Sequence, residues 1–172
     1  EIVYQALYQL KSKGKVQKIG VSAYSPNEVD AVIKRYPIDI VQIPCNLVDQ
    51  RALASGLLAR LKSDGVEVHV RSAFLQGVLL SEIATLPSRF SVLEKQLTAL
   101  DELSKAFKVS KMAIALDFLK QNAAVDHIVI GVLNHQQLKE CFAAYEQQIP
   151  GFIDYQSFTC ADINLIDPRR WQ

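Results

Sequence analysis

A hydroxyl, a carboxamide and an aromatic ring, those of Ser22, Gln42 and Phe74, stand at the ends of three short apolar runs. The first two can hydrogen-bond an amide, and the third can stack on a flat ring. Together they suit a heteroaromatic ring that carries an amide group. Polar, aromatic and glycine positions surround them at residues 22–24, 42–46, 72–77 and 131–134. Glycine there permits close approach of backbone to a ligand. A structural account uses the same residues: Gln42 satisfying backbone, Ser22 capping a turn and Phe74 filling core. Spacing alone favours that account.

Groups able to move a proton are scattered rather than gathered. Tyr4 and Tyr8 sit on a leading helical pattern, Tyr36 ends a second helix, and Tyr145 follows the helix after the last apolar run. Tyr24 stands at a run's end, but Lys18 lies too early on that run to share its position. His69 falls within a run, His127 opens one, and His135 occupies the first turn of a helix. Packing or surface roles account for each, and no two form a proton relay.

The apolar runs themselves, residues 18–22, 38–43, 66–70 and 127–131, are β-branched, bounded by turn formers and too short for helices. Helical patterns with legible starts separate them. Ser25-Pro26-Asn27-Glu28 has the form of a capping box with proline at the first helical position, and Ser91-Val92-Leu93-Glu94 has the form of a second. Leu93, Leu97, Leu100, Leu103 and Phe107 then fall on one helical face. Ser110 and Asn134 are placed to cap two further helices. Leu10-Lys11-Ser12-Lys13-Gly14 is echoed by Leu61-Lys62-Ser63-Asp64-Gly65, and each leads through a strand to an aromatic residue, Tyr24 or Phe74. A repeated helix–glycine–strand unit is the building block of a parallel β/α architecture.

The alternation fits an open doubly wound sheet or a (β/α)8 barrel. Neither a Gly-x-Gly-x-x-Gly turn nor a Walker-type loop follows any strand, which removes the usual fingerprints of the open sheet. Four strands make half of a barrel, whose functional groups collect at the strands' C-terminal ends.

Composition excludes several classes. With 49% hydrophobic and 22% charged residues, the chain has the make-up of an ordinary globular domain. Nineteen basic and eighteen acidic residues give a net charge of +1 without a basic stripe, so neither nucleic acid nor an anionic membrane is an expected partner. No apolar run approaches the ~20 residues of a membrane span. Three cysteines at wide spacing (Cys45, Cys141, Cys160) read as reduced thiols of a cytoplasmic protein rather than a disulfide framework or zinc knuckle. A first residue that is not Met, inside a helical pattern, reads as a cut through a larger protein.

Four stretches in order carry a family resemblance. Residues 14–24, ending Gly20-Val21-Ser22-Ala23-Tyr24, resemble the entry into the fifth barrel strand of aldo-keto reductases. Val41-Gln42-Ile43-Pro44-Cys45-Asn46-Leu47 is similar to the sixth, and Arg71-Ser72-Ala73-Phe74-Leu75-Gln76-Gly77-Val78-Leu79 to the seventh with its loop. Ile130-Gly131 through Gln137-Leu138-Lys139-Glu140 resembles the eighth strand and following helix. The likeness covers residues 4–146.

That resemblance implies roles. Ser22 and Gln42 match positions that hold a nicotinamide carboxamide, and Phe74 the aromatic, usually tyrosine, that stacks on the nicotinamide ring. Leu75, Gln76 and Gly77 match the pyrophosphate loop, while Gly131, Val132, Leu133, Asn134 and Gln137 match the segment around the adenosine. There are departures. Ala23 and Cys141 replace usual asparagines, and residues 131–138 lack the Lys or Arg with which NADP-preferring members clamp the 2′-phosphate. The family's catalytic tyrosine, lysine, aspartate and histidine belong to the first half of the barrel.

The expected protein is thus a single α/β domain, residues 1–172, built as a parallel (β/α) half-barrel: four βα units of a TIM-type (β/α)8 barrel. Residues 147–172 form a tail whose Phe152, Tyr155, Phe158 and Trp171 either line a pocket or pack under the rim. The expected function is the NAD(P)H-binding side of an oxidoreductase that reduces a small aldehyde or ketone, inactive alone. The alternative is a non-catalytic half-barrel, with a degenerate dinucleotide groove, that acts through self-association or a partner. Either the missing N-terminal half or a second copy would cover the exposed strand edges.

Overall fold

The computed structural model describes residues 1–171. Four strands, β1 (Gly20–Ser22), β2 (Ile40–Pro44), β3 (Glu67–Arg71) and β4 (His127–Ile128), form one parallel sheet in the order β1-β2-β3-β4. Gly20 pairs with Ile40, Val41 with Val68, Gln42 with His69, and His69 with His127. Helices separate consecutive strands: α1 (Ile2–Ser12) before β1, α2 (Pro26–Ile33) before β2, then α3 (Arg51–Ala54) and α4 (Leu57–Ser63) before β3. α5 (Glu94–Phe107) and α6 (Lys111–Lys120) precede β4, and α7 (His135–Glu146) and α8 (Ile163–Ile166) follow it.

One face of the sheet is apolar. Val41, Ile43, Val68 and Val70 point into the main core, against Val29 of α2 and Leu57, Leu58 and Leu61 of α4. Alternation puts Gln42, Glu67, His69 and Arg71 on the opposite, half-exposed face. Parallel sheets covered on both faces lack such alternation. The polar face is where these strands can do chemistry.

Several local signals act as read. Ser25 Oγ accepts from the amide of Glu28, Ser110 Oγ from Ala113, and Asn134 Oδ1 from Gln137 at 2.9 Å. Glu28 does reach back, but to the amide of Tyr24 at 2.7 Å, one residue before the cap. The echoed glycines close their helices identically. Lys15 and Val66 donate to the carbonyls of Leu10 and Leu61, while Gly14 and Gly65, both with positive φ, donate to Lys11 and Lys62. Both are Schellman closures.

Ser91 does not cap α5. Residues Ser88–Leu93 wind as a 3-10 turn that runs straight into the helix, Leu93 takes the cap position, and no side chain bonds there. Phe90, buried edge-on against Trp171 with centroids 5.0 Å apart, holds that turn. β4 is shorter than its apolar run. The ladder ends after Val129 donates to Val70, because the next carbonyl on that side, of Ser72, already accepts from the amide of Leu75 and from Asn46 Nδ2.

Carboxylates tie the sheet's lower edge. Asp39 accepts from Lys11 at 2.5 and 2.7 Å and from the amide of Ile19, and the Lys11 ammonium holds its carboxyl below the usual range. Asp126 accepts from Lys62 and, at 2.8 Å, from the amide of Val68. The tail packs rather than opening a pocket. Phe158 is buried, Tyr155 donates to Asp117 at 2.7 Å, and the Trp171 indole donates to Leu165. Phe152 alone of the four aromatics is exposed.

Candidate functional site

A groove of about 830 Å³ opens between the loop after β3 and the segment linking β4 to α7. Phe74, Gln76 and Gly77 form one wall, with Gly131, Val132, Leu133 and Gln137 along the other. Seven of the eleven residues singled out in the sequence thus meet in one cleft, from segments far apart in the chain.

The loop is the most unusual backbone in the molecule. Ser72, Leu75, Gln76 and Gly77 have φ of 59, 46, 54 and 91°. Only glycine adopts that region cheaply, and three of the four are not glycine. Strain of this kind persists where surrounding structure overdetermines it, and it concentrates at ligand sites. Here the determinants are visible. Leu75 is buried in the core, and the fully buried Asn46 donates from Nδ2 to the carbonyl of Ser72 at 3.0 Å. Asn46 Oδ1 also accepts from Val48 and Asp49, so one side chain locks the loops after β2 and β3 together.

Four expected residues stand outside the groove lining. The Leu75 side chain is fully buried in the core, so only its backbone can serve the loop. Asn134 spends its carboxamide as the cap of α7. Ser22 and Gln42 stand on neighbouring strands, and Ser22 Oγ donates to Gln42 Oε1 at 3.1 Å. That pairing orients the Gln42 amide and leaves its NH2 for another partner. Gln137, though in the groove, accepts from the amide of Leu133 at 2.8 Å and fixes that loop. Phe74 is half-buried and packs against both apolar clusters.

Arg71 joins the two regions, and sequence reasoning passed over it. It ends β3 on the polar face, lines the groove and donates to the carbonyl of Ala23 at 3.2 Å. Its guanidinium lies 4.2 Å from the centroid of Tyr24, whose ring also carries Arg169 at 3.8 Å. Its Nε is buried with no partner among the described residues. A lone arginine at the end of an apolar strand is the signal that could have found it. An unmatched buried donor beside a cleft invites an acceptor.

Among the described residues that line the groove there is no tyrosine, histidine or lysine. Cys141 lines the groove, but burial pushes its thiol up, away from thiolate. Burial and the bond to Asp117 push the Tyr155 phenol up as well. Tyr4 stacks on Tyr36 at 4.5 Å and donates to Pro37. Lys18 pairs with Glu67, at the other end of the strands from Tyr24. His135 is exposed on α7.

The groove presents a strained loop, the N-terminus of α7 beside it and a guanidinium Nε without a partner among the described residues. The profile of the Aldo/keto reductase family matches residues 1–151. A 77-residue stretch is 31% identical to the NADH-specific methylglyoxal reductase of Escherichia coli (strain K12), covering 45% of this chain and 23% of that protein. Among solved structures, the apo form of aldo-keto reductase AKR11C1 from Bacillus halodurans superposes with a TM-score of 0.74 at 24% identity, over 97% of this chain and 59% of its own. The glycerol dehydrogenase AKR11B4 from Gluconobacter oxydans gives 0.57 at 21% identity, over 88% and 55%. The chain therefore spans little more than half of these structural relatives, and the parallel sheet with its helices corresponds to part of a (β/α) barrel.

Proposed function

Because this chain belongs to the aldo/keto reductase family, we propose that it supplies the dinucleotide-binding side of a nicotinamide-dependent carbonyl reductase. The observation that carries this reading is the strained loop, residues 72–77, which walls a groove of fitting size. Ser22 and Gln42 would hold the nicotinamide carboxamide, with Gln42 oriented by its bond to Ser22. Phe74 and the Arg71 guanidinium offer flat surfaces beside that position. Gln76, Gly77 and the backbone of Leu75 would follow the pyrophosphate. Gly131, Val132, Leu133, Asn134 and Gln137 would enclose the adenosine, with Asn134 and Gln137 acting by fixing the loop.

The bound cofactor would supply a hydride to a small aldehyde or ketone. NADH is favoured over NADPH by the absence of Lys and Arg from residues 131–138. The proton source would lie outside residues 1–172, in an N-terminal half-barrel.

NADH titrations followed by nicotinamide fluorescence test the reading. Binding is expected, tighter than for NADPH, and Gln42→Leu should weaken it about tenfold, the equivalent of ~1.4 kcal/mol. An affinity unmoved by Gln42→Leu would sink the carboxamide assignment. Aldehyde-dependent NADH oxidation by the chain alone would refute the external proton source.

One observation favours a second reading, in which the chain acts by assembly. Among the described residues the sheet is open, with β1 and β4 each paired on one side only. Unpaired parallel edges invite a second copy. Sedimentation should then show a dimer or larger species, and a folded monomer at high concentration would dismiss this reading.

A further inference from the structure

We propose that Glu67, His69 and His127 form a divalent transition-metal site on the polar face of the sheet, suited best to zinc. None of the three lines the groove, so the site stands or falls independently of the cofactor reading. Parallel pairing builds it. His69 and His127 are direct partners on β3 and β4, and Glu67 lies two residues earlier on the same face as His69.

The geometry is convergent. Glu67 Oε1 lies 2.7 Å from His69 Nε2 and 3.4 Å from His127 Nε2. The imidazole rings meet edge to face, with centroids 4.7 Å apart and an interplanar angle of 72°. All three potential ligand atoms lie within 4.8 Å of one another. A tetrahedral zinc with bonds of about 2.0–2.2 Å holds its ligand atoms roughly 3.3 Å apart. The longer of the two separations already matches. The shorter is a hydrogen bond that lengthens once the cation replaces its proton. Two imidazoles and a carboxylate select zinc, copper or nickel over magnesium or calcium, and water completes the tetrahedron.

The surroundings give the site a role and an opponent. β4 is a two-residue edge strand, so a cation bridging His127 to Glu67 and His69 would clamp that edge to β3. His69 is also the direct pairing partner of Gln42, which places the clamp one strand from the carboxamide. Lys18 bonds the other oxygen of Glu67 and fixes the carboxylate, but its ammonium repels a cation.

Protein stripped of metal by chelator should be titrated with Zn2+ against a chromophoric competitor, and with Co2+ followed by visible absorption. One equivalent of Zn2+ and the intense spectrum of four-coordinate Co2+ are expected. His69→Ala, His127→Ala and Glu67→Gln should each weaken Zn2+ binding by at least about tenfold. His135→Ala, on the exposed face of α7, should leave it unchanged, and Lys18→Met should tighten it. Zn2+ at a hundredfold excess over its Kd should raise the Tm of the parent protein by roughly 5–10 °C and leave that of the histidine variants unmoved. This second readout works within each folded variant. Binding that survives both histidine substitutions, or no binding at one equivalent, overturns the site.

Discussion

Gly20→Ala is expected to lower the melting temperature by roughly 6–12 °C, the effect of ~3 kcal/mol in a domain of this size. Gly20 opens β1 directly opposite Ile40 of β2. A Cβ added there would collide with the Ile40 carbonyl oxygen and come within 2.8 Å of its carbonyl carbon. Those are backbone atoms of a hydrogen-bonded strand, so neither can rotate aside. The two strands must separate, and Ser22 then loses its place beside Gln42. NADH affinity should therefore fall together with stability. Gly131→Ala is the matched control. Its Cβ meets nothing within 4 Å and its φ is not positive, so a change within about 0.5 kcal/mol is expected. A Gly20→Ala protein that melts like the Gly131→Ala protein would show that β1 does not approach β2 this closely.

Asn46→Ala should cost about 3 kcal/mol and also loosen cofactor binding. Its side chain is fully buried and serves three backbone groups: the amides of Val48 and Asp49 and the carbonyl of Ser72. Removing it strands all three, and each buried unsatisfied group costs roughly 1–3 kcal/mol before water or relaxation recovers part. The bond to Ser72 pins the start of the strained loop, where φ is 59°. Released, residues 72–77 can relax toward ordinary backbone, which removes one wall of the groove. Thermal melts and NADH titrations on the same preparation check both effects. Loss of stability with unchanged affinity would mean that the loop holds its shape without Asn46.

Parts of the site were legible in the sequence because their physics is local. The caps at Ser25, Ser110 and Asn134 each bond an amide three residues on, so the residues needed are adjacent in the chain. The paired glycine closures are local for the same reason. The short β-branched run around Gln42 was legible as a strand, and β2 spans Ile40–Pro44. Ser91 shows where locality ends. Its motif was complete, yet burial of Phe90 against Trp171, some eighty positions away, accompanies a turn in which the Glu94 amide bonds the Ser91 carbonyl instead of its hydroxyl.

What the sequence by itself determined is the alternation of strands and helices, the family likeness and the side chains available at the strand ends. The tertiary structure alone decided how those side chains were used. It committed the Gln137 carboxamide to its own loop, buried Leu75 and left the Nε of Arg71 without a partner among the described residues. It also set His127 beside His69 and Glu67. Sequence patterns report which face a residue takes, because that depends on neighbours a few positions away. Which distant residue shares that face depends on strand order and register, and these exist only once the sheet has formed.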